Sequence, residues 1–240
     1  MTQRHEIRVI LPCAGAGTRM GLPFPKELAP LGPGRAVIDS SLDLIRAAAG
    51  DVKVLLMTDG RRDLTVSYVR ERLPGTGVAE VRQDPAARDM TEAVLALEPW
   101  LGYVNVLLLP DVLYRAPGGA VTELALKAVS CGFAFAAVKA GPGQVAASGA
   151  LRVDGGRVAA YEDKPADPSG YDAAWGMLAF GGRGFGTAGL RLVAGSAART
   201  RSGPVTDPPV LNAPVTWLDS MTDCGTWENY CEAFRRACDI

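Results

Sequence analysis

The stretch Ile7 to Leu31, IRVILPCAGAGTRMGLPFPKELAPL, decides how the rest of the chain is read. Its apolar run from Val9 to Cys13 predicts a buried strand, and the run stops abruptly in the small residues Ala14, Gly15, Ala16 and Gly17. The strand therefore empties into a loop with almost no side chains. Backbone N–H groups in such a loop approach a polyphosphate closely, and Arg19 and Lys26 add positive charge within a few residues of it. These features suit a nucleoside triphosphate. A dinucleotide-binding fingerprint fits poorly, because it needs a glycine where Met20 stands and a helix directly afterwards, which Pro23 and Pro25 forbid. A Walker A loop needs Gly-Lys-Ser/Thr opening a helix, and no such triplet occurs here. An ordinary tight turn also produces a glycine cluster, so Gly-x-Gly alone leaves both readings open.

The longer pattern, G-x-G-T-R-M from Gly15 followed by P-K-E-L-x-P-L from Pro25, resembles the signature of the sugar-1-phosphate nucleotidyltransferases. Within that family, Leu11-Pro12-x-Ala14-Gly15-x-Gly17-Thr18-Arg19-Met20 is most similar to the bacterial UTP–glucose-1-phosphate uridylyltransferases. The resemblance implies that Ala14, Gly15, Gly17 and Thr18 bind the nucleotide and that Arg19 and Lys26 act on its phosphates.

Composition sets bounds of its own. A chain of 240 residues accommodates one large α/β domain or at most two small ones, and 48% hydrophobic with 21% charged residues is the make-up of an ordinary globule. With 25 basic against 26 acidic residues there is no overall field to recruit nucleic acid or an anionic membrane, so anion binding must be local. No apolar segment of signal-peptide or membrane-spanning length occurs, which leads us to expect a cytoplasmic protein. Cys13, Cys131, Cys224, Cys231 and Cys238 are odd in number and form no C-x-x-C pair, which argues against both a disulfide framework and a zinc site. The single histidine, His5, lies in the terminal tail and reads as a solvated residue.

Beyond the loop, helical spacing from Ala36 to Ala49, a strand at Lys53–Thr58, a helix at Arg62–Leu73 and a strand at Ala79–Gln83 alternate in order. This alternation predicts an α/β fold, a doubly wound and mostly parallel sheet with its ligands beyond the carboxyl ends of the strands. Asp89 is placed to N-cap a helix from Met90 to Leu97, with Glu92 completing a capping box. Asn105–Pro110 predicts a central strand, with Asp111 at its carboxyl end as either a turn residue or a metal ligand. A helix at Gly119–Ser130 and a strand at Phe133–Lys139 follow. The segment GALRVDGGRVAAYEDKP predicts a hairpin turning at Asp154-Gly155-Gly156, and Glu-x-Lys in its second strand would put Glu162 and Lys164 on one face. Gly176 interrupts the bulky strand AAWGMLAF, as a glycine does where a ligand or another backbone comes close. Gly181–Gly189 has no readable pattern, Leu190–Ala198 suits a helix, and Ala198–Pro209, with Arg199 and Arg201, reads as a mobile loop. Val215–Leu218 is expected to be the last strand, and WENYCEAFRRAC a closing amphipathic helix.

The resemblance continues through these segments and implies a nucleotide-diphospho-sugar transferase-like fold. It also implies one domain over residues 1–240, with a nucleotide-binding part at 1–140 and a small β-rich, sugar-phosphate-binding part at 141–240. Gln83 and the loop at Asp89 occupy the base-reading place, where the family has glycine instead of Asp89. LPDV and DCGT resemble the elements whose aspartates bind Mg²⁺, which implies Asp111 and Asp223 as ligands, with Asp219 as the rival to the second. The resemblance assigns Gly149, Glu162, Lys164 and Gly176 to the sugar phosphate, with Lys164 catalytic. The chain looks shortened between Phe180 and Val215. The partners so implied are a nucleoside triphosphate, UTP first and dTTP second, and a sugar 1-phosphate, with a homo-oligomer compatible. Two alternatives stand beside this: the same fold using CTP and a non-sugar phosphate or phosphonate, and a non-catalytic sensor of nucleotide or sugar phosphate.

Overall fold

The computed structural model describes residues 6–15, 17–87, 89–198 and 203–238, and of residue 185 the backbone alone. His5, Ala16, Arg199 and Arg201 lie outside the described residues. In chain order the elements are β1 (Ile7–Pro12), α1 (Asp39–Arg46), β2 (Val52–Thr58), α2 (Asp63–Arg72), β3 (Gly77–Arg82), α3 (Met90–Leu95), β4 (Val104–Leu108) and β5 (Val112–Arg115). There follow α4 (Ala120–Cys131), β6 (Phe133–Lys139), α5 (Pro142–Ala147), β7 (Gly149–Asp154), β8 (Arg157–Asp163), β9 (Ala173–Gly181), α6 (Phe185–Ala197), β10 (Val215–Trp217), β11 (Ser220–Asp223) and α7 (Trp227–Cys238).

The central sheet runs β10-β6-β9-β4-β1-β2-β3. β1 sits between β2 and β4 and is parallel to both. Along this path β9 alone runs against its neighbours, antiparallel to β4 and β6, so the central sheet is mostly parallel as expected, while β7 joins the edge of β9 antiparallel and carries β8. Because β9 comes from the second half of the chain yet lies between β4 and β6, both halves build one sheet. Alternation along β1 explains the layers. Val9 and Leu11 face a core with Leu42 and Ile45 of α1, Val66 and Val69 of α2, and Leu124 of α4. Ile10 faces the opposite way, toward Val94 of α3, Leu190 and Val193 of α6, and Phe133 and Phe135. Each such fully buried side chain contributes roughly 1.5–3 kcal/mol. No helix among the described residues is long and apolar enough to cross a membrane.

Several elements depart from the expectations. The helix expected over Ala36–Ala49 shrinks to Asp39–Arg46, because Ala36 N–H donates to the buried Asp39 carboxylate at 2.7 Å and holds the entry as a turn. α6 begins at Phe185, inside the segment that had no readable pattern; Gly186 is required there, since a Cβ would meet the Gly181 backbone at 2.4 Å. Val215–Trp217 is not the last strand. β5 and β11, each four residues long, pair antiparallel in a separate ribbon, with Val112 opposite Asp223. The hairpin turns where expected, with Gly155 and Gly156 at φ +53° and +75°, the left-handed values a two-residue loop demands.

Tyr114 seats the ribbon on the sheet. Its hydroxyl donates to the Gly176 carbonyl at 2.8 Å and accepts from Leu109 N–H at 3.1 Å, bridging β9 and the end of β4. Tyr114→Phe leaves both backbone groups short of a partner in a buried place, so we expect a loss of about 1–3 kcal/mol, read as a lower urea midpoint at unchanged slope.

Candidate active site

At the carboxyl ends of β1, β2 and β4 the chain leaves a cavity of about 1030 Å³. Of the residues singled out from the sequence, it is lined by Ala14, Gly15, Arg19 and Lys26 from the loop, and by Gln83 and Asp89 from the β3–α3 connection. Asp111, Gly149, Lys164, Gly176 and Asp223 line it from the other elements. Gly17, Thr18 and Glu162 are not among the lining residues. Gly17 instead supplies a turn at φ +63°, where a Cβ would lie 3.8 Å from Lys26 Cβ.

Each cation from the loop stands beside one of the paired carboxylates. Lys26, in a short 3₁₀ turn after Pro25, runs along Gly15 and forms an ion pair with Asp111. Arg19 reaches Gly225 beside Asp223: a Cβ there would lie 2.8 Å from Asp223 Oδ1 and 2.9 Å from Arg19 Nη2. Asp223 Oδ1 also accepts from Gly225 N–H at 2.7 Å. The ribbon brings the two acids together, since Asp223 is paired with Val112 and Cys224 N–H donates to the Asp111 carbonyl at 2.9 Å. Asp219, the rival candidate, is exposed and outside the cavity.

Among the described residues no group of three or more His, Cys, Asp or Glu side chains is placed to hold a metal, so the pair is no closed cage. Two hard carboxylates with their remaining positions left to phosphate oxygens and water are the donor set Mg²⁺ accepts, and the residues present fit that ion. Burial, with the charges of Asp223 and Asp111 added, pushes the Cys224 thiol up to about 12, and burial also raises the Cys13 thiol well above its usual value. Neither is an activated nucleophile. All five cysteines are free.

At the opposite end of the cavity the expected geometry changes. β8 ends at Asp163, and Lys164 has a left-handed backbone at φ +49°, so Glu162 and Lys164 do not share a strand face. The acid that lines the cavity is Asp163, whose Oδ2 lies 3.0 Å from Lys164 Nζ, while Glu162 accepts a hydrogen bond from the Tyr171 hydroxyl. That contact, with burial the larger cause, raises the Tyr171 pKa. Parity counting misses this because no local signal marks Asp163 as the strand's last residue, after which Lys164 leaves the extended backbone. Trp175 was missed as well; a Cβ on Gly149 would lie 1.9 Å from its Nε1, so the indole covers that glycine. Gly176 is bare chiefly for the ribbon, since a Cβ would meet Met221 Sδ at 2.7 Å and Tyr114 Cε1 at 3.1 Å. Arg236 and Asn229 of α7 also line the cavity, and nothing in their local sequence distinguishes them from a solvated helix face.

Asp89 caps α3 as expected: its Oδ1 accepts from Glu92 N–H at 2.9 Å and from the Thr91 hydroxyl at 2.6 Å. Its Oδ2 is buried without a hydrogen-bond partner.

Beneath the loop, Glu27 is 1% exposed and accepts from the Thr65 hydroxyl at 2.9 Å. Burial raises its pKa from the ordinary 4.5, against the opposing pull of its hydrogen bonds and of Arg62 and Lys26. A folded value above the unfolded one favours folding below the unfolded pKa, and that contribution is lost as pH rises through the folded value. Glu27→Gln, neutral throughout, is therefore expected to stabilise the protein relative to wild type near about pH 8 and to lose that advantage toward about pH 4, measured by urea unfolding at both.

No protein-family model matches the sequence, and no curated protein matches it. Solved structures do share the fold. A protein named as a glucose-1-phosphate thymidylyltransferase from Bacillus anthracis, in complex with a sucrose, superposes with a TM-score of 0.73 at 16% identity, over 98% of this chain and 96% of that one. A UDP-glucose pyrophosphorylase from Acinetobacter baumannii gives 0.72 at 18% identity, over 95% and 92%. Another UDP-glucose pyrophosphorylase, complexed with UDP-glucose, gives 0.68 at 17%, over 97% and 98%. The chain thus has the nucleotide-diphospho-sugar transferase fold, and it spans nearly the whole of these chains.

Proposed function

We propose that this protein is a nucleotidyltransferase joining a nucleoside triphosphate to a sugar 1-phosphate, with release of pyrophosphate. One observation carries the reading: a single cavity is lined both by the cations Arg19, Lys26 and Lys164 and by the carboxylates Asp111 and Asp223. The shared fold supports it, as the neighbouring structures include proteins bound to UDP-glucose and to UTP.

The chemistry follows from the charges. A sugar phosphate oxygen is already a competent nucleophile, so its attack on the α-phosphorus requires no general base, and the protonated thiols beside the cavity are no obstacle. What the reaction needs is in-line positioning and neutralisation of crowded negative charge. Arg19 holds the leaving phosphates, Lys26 the α-phosphate, and Lys164 the attacking sugar phosphate, with Asp163 beside it. Asp111 and Asp223 would hold Mg²⁺, which when bound neutralises phosphate charge as a Lewis acid.

Pyrophosphate release from each triphosphate with a panel of sugar 1-phosphates tests the proposal, and absence of turnover throughout the panel overturns it. Lys26→Ala is expected to lower kcat by about 10²–10³, or roughly 3–4 kcal/mol, like the loss of an oxyanion donor. Asp111→Asn and Asp223→Asn should each raise the Mg²⁺ requirement sharply, whereas Asp219→Asn, outside the cavity, should leave it near wild type. A larger effect at Asp219 would move the second ligand there.

For the base, UTP is proposed first, with dTTP tolerated, because a single methyl group is typically worth only about 1–3 kcal/mol of discrimination. CTP would benefit from a free carboxylate facing its amino group, but Asp89 spends Oδ1 on the helix cap and buries Oδ2. Glycine is a passable N-cap. Asp89→Gly is accordingly expected to leave the kcat/KM ranking of UTP, dTTP and CTP unchanged; a reordering would make Asp89 a base contact.

A further inference from the structure

We propose that Arg62 is a positioning residue for the triphosphate, acting from behind the glycine loop by holding the Gly15 carbonyl. The proposal rests on the reading of the cavity given above.

Parallel pairing of β1 with β2 sets the residues that follow the two strands side by side. Arg62 precedes α2 there, and its side chain makes no cap to its own helix. It crosses to the loop instead, where Nη2 donates to the Gly15 carbonyl at 2.6 Å. Nε lies 3.5 Å from Asp59 Oδ1, and the side chain is 12% exposed. Arg61, next to it, is 87% exposed, with Nη2 3.4 Å from Asp59 Oδ2. One turn further on, Thr65 donates to Glu27, the residue after Lys26. The first turn of α2 therefore grips both ends of the phosphate-binding stretch, the glycine loop through Arg62 and the Lys26 turn through Thr65.

A loop nearly without side chains is close-fitting but conformationally loose. Each peptide that flips presents a carbonyl oxygen in place of an N–H, and an oxygen facing a triphosphate is repelled. Gly15 lines the cavity, whereas Arg62 does not. With the Gly15 carbonyl bound to a guanidinium outside the cavity, the repelling orientation is removed in advance, and the ordering cost is met before the ligand arrives. The charge under the loop adds to this, and it also lowers the Glu27 and Cys13 pKa values against their burial.

The test is calorimetric titration of the full-length protein with two probes, UTP and inorganic tripolyphosphate, both with magnesium chloride, alongside steady-state kinetics. Arg62→Met is expected to weaken both probes by about tenfold, to the same extent, because the defect lies at the phosphates. KM for UTP should rise with kcat within about threefold of wild type, as for a loss of uniform binding. Arg62→Lys, which keeps a charged donor, should recover part of the affinity. If Arg62→Met fails to unfold cooperatively, Arg62→Gln, with a neutral donor, carries the same comparison. A variant that binds both probes as wild type does, or loses UTP alone, overturns the positioning role by itself. A fall in kcat at constant KM would also overturn it, by making Arg62 a catalytic residue. Wild-type protein that binds neither probe overturns the reading of the cavity along with it.

Discussion

The antiparallel pairing of β11 with β5 is the constraint on which the site depends. Asp111 and Asp223 are far apart in the chain, and like charges gathered in one place repel. Backbone hydrogen bonding sets them side by side regardless, through the pairing of Val112 with Asp223 and the bond from Cys224 N–H to the Asp111 carbonyl. Lys26 and Arg19 then offset the repulsion, one beside each acid. A ribbon of four-residue strands has little stability of its own. Tyr114 fastens it to the ends of β4 and β9, and Met221 packs over Gly176. That hydroxyl and that bare glycine tie the carboxylate pair to the central sheet.

The glycines in and around the cavity illustrate how one residue type serves separate physical ends. Gly17 is needed for its left-handed backbone. Gly149 makes room for the Trp175 indole, Gly176 for Met221 and Tyr114, and Gly225 for Asp223 and Arg19. Only the first of these is a conformational requirement; the others are requirements of contact. A substitution at any of the last three displaces a side chain that lines or supports the cavity, so its effect would reach the site through a neighbour rather than through the backbone.

The cavity is also a balance of charge without an obvious acid–base pair. Carboxylates and cations alternate around it, while the thiols of Cys13 and Cys224 are kept protonated by burial and by the same carboxylates. Such a surface suits a reaction whose reactants carry their own nucleophile and leaving group. It asks the protein for placement, and placement is what the loop, the ribbon and the first turn of α2 provide.

Much of this was legible in the residues alone. The continuous apolar runs of β1, β2 and β4 and the strand–helix alternation predicted the parallel sheet, and the small residues after β1 predicted the loop, because these are short-range properties of side-chain size and spacing. Asp89 as a helix cap belongs in the same class, since a cap is made with residues two and three positions away. Other features had no local signal. β5 and β11 are too short to show a pattern, and they exist because each finds the other. Asp163 rather than Glu162 lines the cavity, where the strand ends and Lys164 turns left-handed, a change that no spacing rule anticipates. Trp175 over Gly149, and Arg62 on Gly15, are contacts between residues distant in the chain, set by strand pairing and close packing. Local chemistry determined which elements form; which side chains meet in the cavity was decided only when those elements packed together.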